Sequence, residues 1–385
     1  MADQKPKCPY QAKKLEEERL AKEKAAAEGG CPYHAKKFAE SNNKSSNPNP
    51  LPLGTQIEDY KPSVSHEQAK KDAKEAYELV GKTGHIEGNL KKAKAVMNYL
   101  GYTDEEFAAV SNDAYNYQGV GCPFRFANLK KGETVLDLGS GLGIDSTIAL
   151  HYVDETVSTD KPGKVVGLDL SESEVAHANS KMAKKNIPQN KVKFISGDME
   201  NMPKENHPNE FGDEVYDCVI SNGAFCLAPS KVKAFSEIYR VLKPGGRMAV
   251  CTSVVKAELA QGEKWPLCME MFINVNKIKP ICEKIGFSNI TIDDSNSLMQ
   301  HDIPGFEEEE KRGKTEILDA GDENNQEMCS HARKALELKK QEEAEKRKKN
   351  GVHNDSEEFK HLKNYDMNQL TARVVVIAEK PRVKA

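Results

Sequence analysis

Between residues 131 and 293, short apolar runs alternate with stretches of helical periodicity, and this alternation restricts the fold more than any other feature of the chain. An apolar run bounded by turn residues matches a strand buried on both faces. A helix between two such runs returns the chain so that the next strand lies parallel to the last. The runs are TVLDL (134–138), KVVGLDL (164–170), VKFISG (192–197), YDCVIS (216–221), RMAVCTS (247–253) and SNITID (288–293). A further run, LTARVVVIAEK, stands apart at 370–380. The expected fold class is therefore α/β, a mostly parallel sheet with helices on both faces, its core spanning 131–299 and its last strand lying in 368–385.

The flanking segments read differently. Residues 1–62 are rich in Lys, Glu, Ala, Asn and Pro and form an expected flexible tail, in which CPYQAKK at 8–14 recurs as CPYHAKK at 31–37. The cysteines of this repeat read as tail thiols, and no protein partner of the repeat is identified. Residues 63–130 carry HEQAKKDAKEAYELV and NLKKAKAVMNYLGY, whose spaced apolar positions predict helices able to form a lid. Residues 300–367, with FEEEEKRGK and ALELKKQEEAEKRKKNG, read as a charged, solvated insertion before the last strand.

Lys plus Arg number 56 against 60 Asp plus Glu, so no excess of basic charge points to a nucleic-acid partner, and a small molecule is the expected one. No apolar run approaches the roughly 20 residues of a membrane span, and MADQKPKCPYQAKK lacks the apolar core of a secretion signal, which makes the cytoplasm the expected location. Nine cysteines in 385 residues fit reduced thiols better than a disulfide framework.

The most informative stretch is VLDLGSGLGID, with Asp137 ending a strand and Gly139, Gly141 and Gly143 following before a helical stretch near Ile144. Glycines at alternate positions allow a sharp turn and close backbone approach to a ligand, here one of nucleotide type. Asp169 ends the next strand, where a carboxylate can accept from two ribose hydroxyls. Gly197-Asp198-Met199 closes the third, suited to an exocyclic adenine amine, and Asn222 closes the fourth. Ser171 and Glu174 read as a structural capping box, and VLKPGGRMAV as a helix end, a turn at 244–246 and a strand.

This pattern resembles the class I S-adenosylmethionine-dependent methyltransferases, over about residues 120 to 295. The resemblance implies a Rossmann-like sheet, S-adenosyl-L-methionine as cofactor, and a cofactor site made of Asp137, Gly139, Gly141, Gly143, Asp169, Asp198 and Asn222. Asp137 would orient the methionine amine or its bound water, Asp169 the ribose and Asp198 the adenine.

Within that class, YQGVGCPF, VVGLDLSESEVAHA, VISNGAFCLAP and YRVLKPGG are similar to the arsenite methyltransferases, in which cysteine thiolates hold trivalent arsenic beside the methyl donor. The resemblance implies Cys122, Cys226 and Cys268 as catalytic ligands and arsenite, as thiol-bound trivalent arsenic, as the leading acceptor. One position departs. Where the family has cysteine directly after Ser-Asn, this chain has Gly223, and the thiol comes three positions later at Cys226. A helical turn over 223–227 would put both positions on one face, whereas an extended chain would put them on opposite faces. Cys226 is thus either a displaced ligand or a packing residue. The sequence leaves two alternatives beside arsenite: a small organic thiol, thioether or lipid-like acceptor, and a non-catalytic cofactor-binding protein. Cys218, Cys251 and Cys282 read as core, and Tyr115, Tyr117 and Phe124 as aromatics able to close over the cofactor.

Overall fold

The computed structural model describes residues 65–83, 90–110, 113–114, 117–154, 162–257, 265, 267–298 and 365–382. The CPY repeat, Tyr115 and the bulk of the 300–367 segment lie outside these residues.

Eight strands form one sheet: β1 Thr134–Leu138, β2 Lys164–Asp169, β3 Val192–Ser196, β4 Tyr216–Asn222, β5 Leu242–Val255, β6 Ile273–Asn274, β7 Ser288–Asp293 and β8 Thr371–Glu379. Their order is β3-β2-β1-β4-β5-β8-β7, with the two-residue β6 paired to β5. Strands β1 to β5 are parallel, and β8 runs antiparallel between β5 and β7. The helices are α1 His66–Thr83, α2 Leu90–Leu100, α3 Asp104–Val110, α4 Phe124–Ala127, α5 Ile144–Val153, α6 Glu172–Lys184, α7 Pro208–Phe211, α8 Lys231–Val241, α9 Leu267–Glu270, α10 Val275–Ile285 and α11 Met367–Leu370. None of the helices described is long and apolar enough to cross a membrane.

Period-two alternation divides the core between the faces of the sheet. Leu136, Val219, Met248 and Val250 pack on one side with Phe235, Ile238 and Ile281, from α8 and α10. Val135, Cys218, Ile220 and Cys251 pack on the other with Ile148 of α5, Ala178 of α6 and the N-terminal Met97 and Phe107. Cys218, Cys251 and Cys282 are buried core residues, as expected.

The turn expected at Pro244-Gly245-Gly246 lies inside β5 instead. Pairing shifts from Tyr216 with Leu242 to Cys218 with Arg247, so the segment forms a bulge. The bulge stays paired on its other side, where Gly245 N donates to Lys380 O at 2.8 Å and Lys380 N to Gly246 O at 2.8 Å. What positions the site is the reversal of strand order at β1. The chain leaves β1 toward β2 on one side and reaches β4 on the other, and the loops diverge there to leave a crevice at the carboxyl ends of the strands.

Candidate active site

The crevice is a cavity lined by the ends of β1, β2, β3 and β4 and by α1 above them. Asp137, Gly139, Gly141, Asp169, Asp198 and Asn222 all line it, so six residues scattered over 86 positions of sequence meet at one place. Gly143 does not. It sits at the N-cap of α5 with φ 77°, against the ring of Phe194.

The glycine loop is held from below by Leu168, whose carbonyl accepts from Gly139 N at 2.7 Å and Ser140 N at 3.1 Å. Asp169 holds it from the side, with Oδ2 accepting from Gly141 N at 2.8 Å and Oδ1 from Ser171 N at 2.9 Å. The carboxylate expected to meet a ligand also ties two loops together.

Two buried carboxylates form the floor. Asp137 accepts from Ser146 Oγ at 2.6 Å, and Asp145, in the first turn of α5, accepts from Tyr102 Oη at 2.7 Å and Asn222 Nδ2 at 2.9 Å. Burial, and then the neighbouring Asp145, push Asp137 up to about 8, while burial pushes Asp145 up to about 6. Glu174 also faces the cavity and is pushed up to about 9 by burial, then by Asp169 and Glu78. Ser171 does cap α6, accepting from Glu174 N at 3.2 Å, but the Glu174 carboxyl is a wall of the cavity rather than the far half of a capping box. A cavity so rich in carboxyl groups disfavours pyrophosphate and favours a cationic ligand.

Asn222 organises the far side. Its Oδ1 accepts from Val120 N at 2.8 Å and Gly121 N at 3.1 Å, and its Nδ2 lies within 3.1 Å of Tyr102 Oη, Tyr117 Oη and Gly121 O. One side chain thereby fixes the segment preceding Cys122 to the end of β4.

The lid helix α1 closes the top through polar contacts. Lys70 Nζ lies 2.6 Å from Asp198 Oδ2 and 2.6 Å from Glu200 Oε2, Lys74 pairs with Glu172, and Glu78 accepts from Glu172 N at 2.8 Å. Lys70→Met should cost about 1–2 kcal/mol by urea titration, less than for a fully buried pair because Lys70 and Asp198 keep partial exposure. The variant should also open α1 to limited proteolysis. Unchanged stability and an intact α1 would show that the ion pairs do not hold the lid.

The cysteines fall in different places. Cys122 packs on the sheet face of Cys251 and Tyr102, and burial pushes its thiol up to about 12. Cys226 stands in the short 3-10 turn Phe225–Leu227, which does not extend back to Gly223, where the backbone is left-handed at φ 83°. Its Sγ donates to Gly223 O at 3.1 Å, and burial raises its pKa. It shares an apolar cluster with Trp265, Met269 and Leu370, which brings it to the helix α9 that carries Cys268. The Cys268 side chain is outside what is described. Neither Cys122 nor Cys226 lines the cavity, and the described residues contain no cluster able to hold a metal ion. Gly223 has φ 83°, and a Cβ there would stand 3.0 Å from Gln118 O, so a cysteine at this position would be strained in backbone and in space.

Asp145, Tyr102, Ser140 and Lys70 escaped the sequence reading. Asp145 carried a local signal, being a carboxylate in the first helical turn after a glycine loop, and Ser140 lies within that loop. Tyr102 and Lys70 reach the site only through tertiary packing.

Residues 129–298 match a family model described as "Methyltransferase domain". An arsenite methyltransferase of Halobacterium salinarum is 33% identical over 198 residues, 50% of this chain and 47% of that protein. A sterol 24-C-methyltransferase of Pneumocystis carinii is 36% identical over 123 residues, 32% of this chain and 28% of that protein. Among solved structures, an arsenic (III) S-adenosylmethionine methyltransferase from Chlamydomonas reinhardtii aligns with a TM-score of 0.42 and 20% identity, covering 76% of this chain and 74% of that one. The chain spans less than half the length of these two curated relatives.

Proposed function

We propose that this chain, whose residues 129–298 match the methyltransferase-domain family model, binds S-adenosyl-L-methionine in the β1–β4 crevice and transfers its methyl group to a small soft acceptor. The observation that carries the reading is the pair Asp137 and Asp145. Two carboxyls buried side by side beside a glycine loop need a cation to ionise together, and S-adenosylmethionine brings an ammonium and a sulfonium. The residues fit the group in a second respect: Ser140 Oγ is buried at the loop without a hydrogen-bond partner.

When bound, the cofactor supplies an electrophilic methyl carbon on a positively charged sulfur. Asp137 and Asp145 would balance the charge, Asp169 would accept from the ribose hydroxyls, and Asp198 would receive the adenine amine. Receiving that amine asks Asp198 to share or release Lys70. Asn222 holds the 120–121 segment in place, and α1 lines the top of the crevice. A soft acceptor with an available lone pair needs positioning more than a base.

Thiol-bound trivalent arsenic is the first acceptor in this reading, with Cys226 and Cys268 as its ligands and Cys122, which packs in a separate apolar cluster, as a third that would have to move to join them. Its support is the arsenite methyltransferase relative and the meeting of Cys226 with the Cys268 helix. A second reading, a small organic thiol or thioether, is favoured by the Cys226 hydrogen bond to Gly223 O, which commits that thiol to packing. Labelled S-adenosylmethionine with arsenite and a reducing thiol, or with the thiol alone, separates the two by mass spectrometry. Under the first reading arsenic is methylated, and Cys226→Ser lowers the rate at least tenfold. Methylation of the thiol alone, unchanged in Cys226→Ser, selects the second. Cofactor binding without transfer to either acceptor would count against both.

A further inference from the structure

Arg373 lies in β8 and is 4% exposed, and its Nε and Nη2 are buried without a hydrogen-bond partner. Among the described residues no carboxylate pairs with it. Its guanidinium stands over the ring of Tyr99 of α2, 5.6 Å from the centroid, and within electrostatic reach of Tyr117. Burial draws its pKa down, with Tyr99 opposing. A cation removed from water at this cost, with two donors unused, is out of balance in the protein alone.

The location gives the imbalance a use. Arg373 pairs with Ser253 and Thr371 with Val255, so Arg373 is close to the carboxyl end of β5, the edge at which β1 and β4 open into the cavity. It follows the period-two alternation of Val375, which packs with Cys122 and Cys251, so it belongs to the face of the sheet that bears Tyr102 and Tyr117. Tyr117 lines the cavity and lies within electrostatic reach of Arg373, which does not itself line it. The backbone around it is fixed by Arg373 N donating to Ser297 O at 3.2 Å and Asn296 Nδ2 to Tyr99 O at 3.4 Å.

We infer that Arg373, with Tyr99 and Tyr117, is the receptor for an oxyanion of the methyl acceptor, a carboxylate or phosphate group. The inference builds on the methyltransferase reading, since it makes the anion part of the molecule that is methylated. A planar guanidinium with two free donors matches a two-oxygen anion, and a partner in this dry position would be held far more firmly than at a surface.

The test is thermal unfolding of the full chain in sodium phosphate, sodium acetate and sodium chloride at equal ionic strength. A saturable rise in Tm of a few degrees is expected with phosphate or acetate over chloride, and the anion that gives it tells phosphoryl from carboxylate. Arg373→Met, which replaces a buried charge by an apolar chain of similar length, should fold and lose the response. Arg373→Lys, keeping the charge without the fork, should need at least tenfold more anion. No anion-specific rise in the wild type, or an equal rise in Arg373→Met, overturns the inference. Turnover gives a second readout: arsenite presented with mercaptoacetate should show a KM at least tenfold lower than with mercaptoethanol, and the preference should vanish in Arg373→Met. Cofactor titration of the same samples keeps the two ideas apart: a wild type that responds to anions without binding S-adenosylmethionine sinks the methyltransferase reading and the anion's place on a methyl acceptor, and leaves Arg373 as an anion site only.

Discussion

Gly139→Ala should weaken S-adenosylmethionine binding at least a hundredfold and lower stability by about 2–4 kcal/mol, combining left-handed strain with overpacking. Gly139 has φ 70°, and a Cβ there would fall 1.9 Å from the Cβ of Ala224. Ala224 belongs to the loop after β4, so the loops on both sides of the strand-order reversal would have to part, and both line the crevice. Gly141→Ala is the matched control. Its φ is 50°, but the nearest atom to a new Cβ is Glu174 Oε1 at 3.4 Å, so strain acts there without a collision. Calorimetric titration and urea unfolding of both variants measure the difference. Equal losses would mean that backbone strain alone governs the loop.

The second large effect is pH-linked. Asp137 has its pKa raised from 3.8 to about 8, so the folded chain keeps a proton that the unfolded chain has already released. The contribution to stability is complete below pH 4 and is lost as pH rises through 8. A cation in the crevice reverses the preference by favouring the carboxylate, so binding releases the proton. Affinity for S-adenosylmethionine should therefore climb with pH between about 6 and 8, by up to about tenfold per unit, and stop climbing near pH 8, where the ligand's own α-amine loses its charge. Asp145 and Glu174 face the same crevice and add to the released protons. Asp137→Asn keeps the shape, removes the titration, and should weaken binding at pH 8 at least thirtyfold while flattening the slope. Titrations in buffers of different ionisation enthalpy count the protons directly. A wild-type affinity independent of pH would remove the charge-balance argument for the cofactor.

Much of this site was legible in the chain. Asp137, Asp169, Asp198 and Asn222 each stand at or just beyond a strand end, and a parallel sheet necessarily gathers such residues at one edge. Strand β1 was readable to within a residue, because a strand buried along nearly its whole length is marked by its apolar run. The bulge at Gly245 was not, since a Pro-Gly-Gly sequence fits a turn equally well until pairing with Lys380 is known. Glu174 illustrates the same limit. Its spacing from Ser171 describes a cap, and only the packing of α6 against the glycine loop turns the carboxyl into the cavity.

The sequence by itself determined the alternating α/β order, the glycine loop and the acidic strand ends, because these depend on local periodicity, backbone freedom and short spacings. Tertiary structure alone decided that Cys122 and Cys226 lie in separate apolar clusters, that Lys70 reaches Asp198 across 128 residues, and that Arg373 is buried with no carboxylate paired to it among the described residues. Those facts depend on contacts between distant segments and on the desolvation that follows, and neither exists until the sheet has closed around β8.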